Sequence, residues 1–547
     1  MCLRVSLAHK FIPTVIGGSM VRMFVRTSSS GDIGRFRTFL LLVLIFQLPH
    51  FGGTEGSCQS PGDTLFGSSH VHNINITFAQ PNFWDSLMYY KQHADSFNLS
   101  TSSMLGDIYF DGTLIDSVGV KLKGNSSFGF PGRKKPIKVS FNQYVKGKKL
   151  EGLTTIDLNN NMLDPTMMRE KLLLDFMNKK GLPAPRCTYA RVSYNGQYVG
   201  LYKMVEPIDK AFIKTHFGEW KGNLFKGDPQ GTLNWIDNNP ASYYPYYELH
   251  SNNTPNNWID VVNLIDNINN TPSANFYDTL EGNLNTAPCI QQWAARNLFV
   301  DLDGYFHAPH NYYLYHDSLS NKFEWITWDV SVSFGFYPYW KEDSTEHISL
   351  LHANGILAQR MLSNPIYKTA YLNSICDYLD YLDTAVMNPM IDSIANRIYP
   401  DFVAEPDSNQ MFPEQALFWT CDTMTIHTPI GDIPGLKRFI VNRRNNVLAE
   451  LASLPFICTN GINENESLDE ILVYPNPSRG KFEVKSQKSK INRLEIYNVM
   501  GECIYQLPDS PIPQFPVINL SSQPQGIYFL KAETKSEIRT VRITVIR

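Results

Sequence analysis

The sequence predicts an α+β protein that ends in a small β-sandwich, and three patterns along the chain indicate this. Alternating apolar and polar residues, interrupted by turn signals, dominate the chain up to residue 205 and are typical of strands. Apolar residues at helical spacing recur between residues 258 and 454. From residue 471 onward, only short alternating segments separated by Pro, Gly and Ser follow, which favours a small sandwich.

The first elements are predicted to be strands. Residues 71–78 and 106–110 alternate between apolar and polar side chains, and residues 137–141 do so again. Asp111-Gly112 lies between two alternating segments and predicts a tight hairpin turn into residues 113–123. This part of the chain is therefore expected to form an antiparallel sheet.

A helix and a second hairpin follow. Asp164-Pro165 predicts a helix cap with a proline in the first turn, and apolar residues recur at helical spacing until Gly181. Asn195-Gly196 predicts a tight turn between strands at 188–194 and 198–205. The later helices are predicted at 258–267, 290–300, 356–361, 365–382, 389–398 and 436–454.

Composition limits the function classes. A chain of 547 residues exceeds the roughly 250 to 300 residues of a single core, so one large and one small domain are expected. The net charge is −4 and charged residues make up 18% of the chain, without the basic surface that nucleic-acid binding requires. We therefore expect no nucleic-acid partner.

The N-terminal region predicts export. A short basic stretch at 35–37 precedes an apolar run at 39–46, and small residues follow at 52–57. The run has the length of a signal-peptide core and is too short to span a bilayer. Because it lies far from Met1, residues 1–57 are interpreted as an N-terminal extension with a signal peptide, and the mature chain is expected to have no transmembrane helix.

Because the chain is expected to be exported, its cysteines are interpreted for an oxidising compartment. The chain has eight cysteines and none form a close metal-type pair, which argues against a structural zinc site based on cysteine. One or two disulfides are expected, and Cys421–Cys458 is the pair to test first. The spacing itself leaves the connectivity open.

The segment around residue 311 carries the clearest chemical signal. Residues 311–315 and 323–328 predict a hairpin, and a hairpin returns the chain to its starting point. It should bring Asp303 and Asn311, at its start, beside Asp329, at its end. Two carboxylates and a carboxamide suit a magnesium phosphoryl-transfer site, in which one acid orients a hydroxyl and the other groups hold metal.

From about residue 121 to residue 335, the chain resembles the CotH kinase-like family of spore-coat protein kinases and their secreted bacterial relatives. The resemblance rests on short motifs in a specific order and spacing. They are Leu122-Lys-Gly-Asn-Ser-Ser127, Lys134-Lys-Pro-Ile-Lys-Val-Ser-Phe141, Arg169-Glu-Lys-Leu172, Gly200-Leu-Tyr-Lys-Met-Val-Glu-Pro-Ile-Asp-Lys210, Gly222-Asn-Leu-Phe-Lys226, His310-Asn-Tyr-Tyr-Leu-Tyr315, Trp328-Asp329 and Phe334-Gly335. The resemblance implies an atypical protein-kinase-like fold of the CotH type and transfer of phosphate to a hydroxyl of a protein or surface substrate.

The resemblance also implies roles for individual residues and a requirement for ATP with Mg²⁺ or Mn²⁺. Asp303 would be the catalytic acid that accepts or orients the hydroxyl proton, and Asp329 and Asn311 would be the metal ligands. The residues expected to bind the nucleotide are Lys138, Asn125, Ser126, Glu206 and Lys226.

The sequence leaves open several alternatives for the roles of these residues and for the function. Ser331 stands where relatives often carry a second acid or an amide, which puts metal affinity in question. Asp301 competes with Asp303 as an acid or a cap, and His307 and His310 lack a third metal ligand, so a hydrogen-bonding role is favoured. The alternative functions are a non-catalytic surface protein for adhesion or glycan contact, and a domain stabilised by Ca²⁺.

The last segment, 471–547, resembles a type A sorting domain of the type IX secretion system. The matching motifs are Val473-Tyr-Pro-Asn-Pro-Ser-Arg-Gly-Lys-Phe482, Ile496-Tyr-Asn-Val-Met-Gly501 and Gly526-Ile-Tyr-Phe-Leu-Lys531. The resemblance implies the type IX machinery as a partner and a secreted or outer-surface location reached through the periplasm. The predicted division is thus 1–57, a CotH-like domain at 58–458, a polar linker at 459–470, and the sorting domain at 471–547.

Overall fold

A computed structural model gives the arrangement of the chain. It describes residues 60–94, 102–129, 132–251, 258–337, 345, 347–348, 355–406, 421–422, 425–428, 431–456, 458, 471–474, 476, 478–486, 491–498, 502–507, 516–533 and 538–545. The predicted signal peptide and the predicted linker lie outside the described residues. Of the helices described, none combines the length and apolar character needed to cross a bilayer.

Seven strands close into a barrel, in the order β1-β2-β3-β4-β5-β7-β6. Neighbouring strands are antiparallel except β1 and β6, whose parallel pairing closes the barrel. Buried apolar side chains alternate along the strands and fill the interior. The strands are His72–Thr77 (β1), Met104–Phe110 (β2), Thr113–Leu122 (β3), Ile137–Ser140 (β4), Thr155–Asn159 (β5), Cys187–Tyr194 (β6) and Gln197–Val205 (β7).

The two tight turns predicted in this region are confirmed. Asp111 and Gly112 have φ values of 47° and 82°, and Asn195 and Gly196 have values of 48° and 81°. Both central residues of a type I′ turn require positive φ, which Asp, Asn and Gly tolerate best. The turn residues therefore fix the register of β2 with β3 and of β6 with β7.

Four helices accompany the barrel. They are Asp63–Phe66 (α1), Phe83–Gln92 (α2), Arg169–Lys179 (α3) and Lys210–Phe217 (α4). The predicted start of α3 at Asp164-Pro165 is wrong, because Met167 has a φ of 57° and interrupts the helical backbone. Asp164 still caps the segment, since its carboxylate accepts hydrogen bonds from the backbone N–H groups of Thr166 and Arg169.

A second antiparallel sheet has the order β11-β10-β8-β9. Its strands are Leu224–Lys226 (β8), Glu248–Ser251 (β9), Tyr312–Asp317 (β10) and Lys322–Thr327 (β11). The hairpin predicted from the sequence is confirmed, with Tyr312 opposite Thr327. Asn311 and Asp329 flank this ladder with φ values of 58° and 43°.

Helices build the largest core and pack around the second sheet. The fully buried Trp293 on α7 stacks edge-on against Trp325 of β11. Helix α10 is longer than the predicted 389–398 because Asp383 caps it earlier, by accepting from the N–H of Ala385. These helices are Ile259–Asn270 (α5), Phe276–Asn283 (α6), Thr286–Leu298 (α7), Ile356–Ser363 (α8), Pro365–Tyr378 (α9), Thr384–Val403 (α10) and Leu436–Ser453 (α11), with a two-stranded sheet of Thr425–Thr428 (β12) and Gly431–Pro434 (β13).

The C-terminal strands form two sheets that share one hydrophobic core. The first has the order β14-β15-β18 and the second β17-β16-β19-β20. Phe482 and Ile518 from the first sheet pack with Leu494, Leu530 and Ile543 from the second. The strands are Ile471–Tyr474 (β14), Lys481–Ser486 (β15), Arg493–Asn498 (β16), Cys503–Gln506 (β17), Val517–Asn519 (β18), Gly526–Glu533 (β19) and Ile538–Val545 (β20).

The disulfide pairing differs from the pair singled out from the sequence. Cys458 is bonded to Cys376 on α9, and Cys421 is a buried free thiol. The spacing along the chain could not show this, because only the packing of the helical core brings Cys376 and Cys458 together. The bond encloses a sequence separation of 82 residues.

Removing this disulfide should lower the free energy of unfolding. A crosslink over so long a loop restricts the unfolded chain, so Cys458→Ser should cost about 2 to 4 kcal/mol. Equilibrium urea unfolding under oxidising conditions measures the loss. Cys503→Ser, at an exposed free thiol, is the matched control and should change little; equal effects of the two variants would contradict the assignment.

Candidate functional site

A cavity of about 480 Å³ is lined by residues of the barrel and of the second sheet. Strands β3, β4, β5 and β7 contribute from one side, and β8, β9 and β10 from the other. The structure brings to this cavity seven of the eight site residues predicted from the sequence, namely Asn125, Ser126, Lys138, Lys226, Asp303, Asn311 and Asp329. The eighth, Glu206, does not line the cavity.

The buried guanidinium of Arg296 on α7 assembles the acidic side of the cavity. It donates to the backbone carbonyl oxygens of Asn311 at 2.9 Å, Asp303 at 3.1 Å and Trp328 at 3.3 Å. It also forms an ion pair with the buried carboxylate of Asp301 at 2.6 Å. One side chain therefore fixes the three backbone segments that carry Asp303, Asn311 and Asp329.

Gly304 leaves the space that the guanidinium occupies. A Cβ atom at this position would lie 2.5 Å from Cζ of Arg296, closer than real Cβ contacts come. The backbone at 304 does not require positive φ, so the constraint is one of space alone. This explains why glycine follows Asp303.

Asp303 is held by hydrogen-bond donors on both carboxylate oxygens. Nε2 of His310 lies 2.6 Å from Oδ1, and Nδ2 of Asn311 donates to Oδ2 at 3.1 Å. Tyr337 also forms a hydrogen bond with this carboxylate. The hydrogen bond to Asp303 raises the pKa of His310 above its ordinary value, against the opposing effect of burial. The hydrogen-bonding role expected for His310 therefore agrees with its position.

Asp329 lies at the other end of the hairpin, in a concentration of negative charge. Its Oδ1 accepts from the backbone N–H of Ser331 at 3.3 Å. Burial raises the pKa of Asp301 to about 7; Arg296 opposes this shift, while Asp303 and Asp329 add to it. Carboxylates gathered in this way repel one another, and a bound cation would relieve the repulsion.

Lysines line the opposite side of the cavity. Lys121 on β3 lies directly opposite Lys138 on β4 in the ladder, and both side chains face the cavity. Burial lowers the pKa of Lys121, and the charge of Lys138 lowers it further. Asp157 on β5 lies opposite Lys138 in the β4–β5 ladder. Its carboxylate oxygens lie 2.9 Å from Nζ of Lys123 and 3.8 Å from Nζ of Lys138. Like charges placed opposite each other destabilise a sheet. A bound anion would reduce the repulsion between Lys121 and Lys138.

A buried ion-pair cluster at the base of the cavity was not predicted from the sequence. Nζ of Lys203 on β7 lies 3.2 Å from Glu170 on α3 and 3.5 Å from Asp164. Burial acts to lower the pKa of Lys203, but the two carboxylates outweigh it and the pKa is raised. A lysine within the apolar strand 198–205 was an available signal, because a buried charge requires a partner.

Glu206, which was predicted to bind the nucleotide, lies outside the lining of the cavity. Its buried carboxylate accepts from Nη2 of Arg186 at 2.6 Å and from Nε at 2.9 Å, away from the cavity lining. Lys226 does line the cavity, where its ammonium group pairs with Asp228. The backbone of Asn125 and Ser126 follows Gly124, whose φ of 81° turns the chain at the edge of the cavity.

Comparison with known proteins identifies the class of protein to which this fold and site belong. The family model described as CotH kinase protein matches residues 120–447, which is more than half of the chain and includes every residue of the cavity. The chain belongs to the CotH kinase protein family. The family prediction made from the short motifs is therefore confirmed.

Individual relatives agree with this assignment. The chain is 25% identical over 279 residues to inner spore coat protein H of Bacillus subtilis (strain 168), covering 50% of this chain and 75% of that protein. It is 24% identical over 339 residues to invasin CotH2 of Rhizopus delemar, and 23% identical over 343 residues to invasin CotH3. These matches cover 56% and 57% of this chain, and the chain spans 55% of each invasin.

The C-terminal module is confirmed as well. The family model for a secretion system C-terminal sorting domain matches residues 472–547, which are the two sheets built from β14 to β20. This domain implies the type IX secretion machinery as a partner and indicates export to a secreted or cell-surface location.

The steric role of Gly304 can be tested by Gly304→Ala. The added methyl group should displace the Arg296 guanidinium and lower the free energy of unfolding by about 1 to 3 kcal/mol, as overpacking does. Chemical denaturation measures the change. Gly282→Ala is the control, because nothing lies within 4 Å of a Cβ at that position; similar losses in both variants would contradict this role.

The His310–Asp303 pair should make stability depend on pH. Because the pKa of His310 is raised in the folded state, this stabilisation is fully present below the ordinary value of 6.5 and is lost as pH rises through the raised pKa. The pair is about one-third exposed, so the effect should stay below about 1 kcal/mol. His310→Gln should make the unfolding midpoint depend less on pH between pH 6 and pH 8. His427→Gln, at a surface imidazole, should leave this pH dependence unchanged.

Proposed function

We propose that the protein is an exported phosphotransferase that binds a nucleoside triphosphate with Mg²⁺ in this cavity and transfers phosphate to a hydroxyl. The observation that carries the proposal is the unequal distribution of charge, with four lysines and two carboxylates on the barrel side and four carboxylates and one lysine on the other. Lys121 and Lys138 line the barrel side, and Asp303 and Asp329 line the other. A nucleotide with a divalent cation has the complementary division, with phosphate oxygens toward the lysines and metal toward the acids.

The residues at the ends of the hairpin fit a magnesium ion. Nδ2 of Asn311 donates to Asp303, which leaves its Oδ1 as the coordinating atom. Together with the carboxylate of Asp329, this gives the hard oxygen donors that Mg²⁺ prefers. Ser331 also lines the cavity and offers a neutral hydroxyl in place of an acid. When bound, the metal would neutralise charge on the phosphates.

The cluster of Lys203 and Glu170 supports nucleotide binding in particular. Protein kinases require an ion pair between a strand lysine and a helix glutamate beside the phosphates. Lys203 lies on strand β7, Glu170 lies in the first turn of α3, and both line the cavity. In this proposal Lys203 faces the α- and β-phosphates, and Lys138 and Lys226 bind the terminal ones.

Asp303 is positioned to act on the acceptor. The substrate hydroxyl oxygen would form a bond to the γ-phosphorus while the bond to the bridging oxygen breaks and the nucleoside diphosphate leaves. The hydroxyl proton would pass to the Asp303 carboxylate, whose orientation His310 and Asn311 fix. The hydroxyl would belong to a protein or to another surface molecule, which this protein would meet after its own export through the periplasm.

A second function, adhesion on the same scaffold without catalysis, is favoured by two observations. Ser331 provides a weaker metal ligand than a carboxylate at its position. Two relatives are named invasins. In that case the cavity would serve contact with a surface ligand rather than phosphate transfer.

The purified protein, incubated with labelled ATP and Mg²⁺ or Mn²⁺, tests these proposals. Asp303→Asn should lower the transfer rate by roughly 100- to 10,000-fold by removing the proton acceptor, while nucleotide binding persists. Asp329→Asn should lose metal-dependent nucleotide binding as well. Asp116→Asn, at a mostly exposed carboxylate that does not line the cavity, is the matched control.

The outcomes separate the functions. A folded protein with neither nucleotide binding nor label transfer would overturn the phosphotransferase proposal and leave adhesion. If Ca²⁺ raises the melting temperature and nucleotide has no effect, the acidic side holds calcium instead. Transfer that survives Asp303→Asn unchanged would remove this residue from its proposed role.

A further inference from the structure

The start of the barrel carries a second group of metal-ligand side chains, distinct from the cavity. His70 and His72 lie at the beginning of β1, and Asp111 lies in the turn between β2 and β3. One ligand atom from each residue can be chosen so that all three lie within 4.8 Å of one another. The matched CotH region begins at residue 120, so the group also lies outside it.

His72 is oriented by a hydrogen bond on the far side of its ring. Nε2 lies 2.9 Å from the backbone carbonyl oxygen of Leu65, and a carbonyl can only accept. Nε2 therefore carries the hydrogen, and in the neutral ring Nδ1 carries a lone pair. That atom lies 2.7 Å from Oδ2 of Asp111. A proton on Nδ1, which makes the ring an imidazolium, satisfies this contact, and a metal ion bound to both atoms would satisfy it equally.

His70 is oriented in the same way. Ser68 Oγ donates to the backbone carbonyl of His70 and lies 2.8 Å from Nδ1 of the ring. Oγ also accepts from the backbone N–H of His70 at 3.1 Å, and in the tautomer that suits a metal it accepts from Nδ1–H as well. This leaves the lone pair on Nε2, which lies 3.5 Å from the same Oδ2 of Asp111.

Asp111 completes the arrangement. Its Oδ1 accepts from the backbone N–H of Asn73 at 2.7 Å, which leaves Oδ2 toward both imidazoles. Each of the three ligands therefore has an outer partner that fixes its orientation, as metal-ligating histidines and carboxylates usually do. Two imidazole nitrogens and one carboxylate oxygen suit a first-row divalent ion, and zinc accepts this set with water in the fourth position.

We propose that His70, His72 and Asp111 form a zinc-type metal site that joins the start of β1 to the β2–β3 turn. Ligands at 2.0 to 2.2 Å from a tetrahedral ion lie roughly 3.3 Å apart. The 2.7 Å and 3.5 Å separations come near this value, and the third separation is at most 4.8 Å, so binding needs shifts of about 1.5 Å or less. The exposed ring of His70 gives the ion access from solvent, with a side-chain exposure of 64%.

The sequence did not reveal this site because its third ligand is remote. Asp111 is 39 residues from His72 along the chain, and it was singled out only as a turn residue. His307 and His310, the imidazole pair that the sequence suggests, lack a third ligand nearby in the chain. The β2–β3 hairpin supplies that ligand here.

Zinc titration of the full mature protein, freed of metal with EDTA, tests the proposal by calorimetry and by the unfolding midpoint. One equivalent should bind and raise the midpoint, and EDTA should reverse the shift. His70→Ala removes an exposed ligand without disturbing the core. It should weaken zinc binding by more than the roughly 10- to 100-fold that loss of an outer partner costs.

Three further variants make the result specific. Asp111→Asn keeps the turn and the bond to Asn73 but should also lose zinc affinity, and Co²⁺ substitution should give a visible spectrum that this variant lacks. His427→Ala removes an imidazole that has a carboxylate partner at 2.7 Å and should leave binding unchanged. Asp329→Asn should remove any zinc bound in the cavity but should keep the binding event that His70→Ala abolishes, which separates this site from the cavity. Absence of a stoichiometric binding event, or equal affinity in wild type and His70→Ala, would overturn the proposal.

Discussion

The buried guanidinium of Arg296 is the interaction on which the acidic side of the cavity depends. It is 3% exposed and pairs with a fully buried Asp301. A buried charge of this kind must be compensated, and removing its partner leaves it unpaired at a cost of about 3 to 5 kcal/mol. Here three backbone carbonyl oxygens provide part of the compensation. The same hydrogen bonds therefore stabilise the buried charge and position the chain. The site is therefore built into the core rather than placed on a mobile loop.

This anchoring explains the unusual backbone around the site. Val300, Asn311 and Asp329 have φ values of 45°, 58° and 43°, in a region that costs non-glycine residues of order 1 to 3 kcal/mol each. Such conformations persist only where the surroundings fix them. The Arg296 bonds do so at Asn311 and next to Asp329, and the N–H of Gly335 donates to the carbonyl of Val300 at 3.2 Å. Positive φ at Asn311 and Asp329 turns the chain at both ends of the hairpin, where the candidate ligands lie.

The sequence predicted the features that are local and missed those that arise from packing. The β10–β11 hairpin and the convergence of Asp303, Asn311 and Asp329 followed from alternation and chain reversal. The Lys203–Glu170 pair joins a strand to a helix 33 residues away, and no periodicity reports such a contact. The Cys376–Cys458 bond and the zinc-type group at Asp111 have the same origin. The motif position of Glu206 does not show that Arg186 holds its carboxylate outside the cavity lining.

The two sides of the cavity come from different sheets, so a bound ligand would affect the stability of both sheets. Lys121, Lys138 and Lys203 lie on the barrel, whereas Asp303, Asn311 and Asp329 follow α7 and flank the second sheet. A ligand with both anionic and cationic parts would bind both sides at once and relieve repulsion on each. Because anything that binds only the folded state stabilises it by mass action, occupancy would stabilise the two sides together. Asp157 offsets part of the repulsion between Lys121 and Lys138 in the empty cavity, and an anion would reduce it further, as expected of residues that bind a ligand.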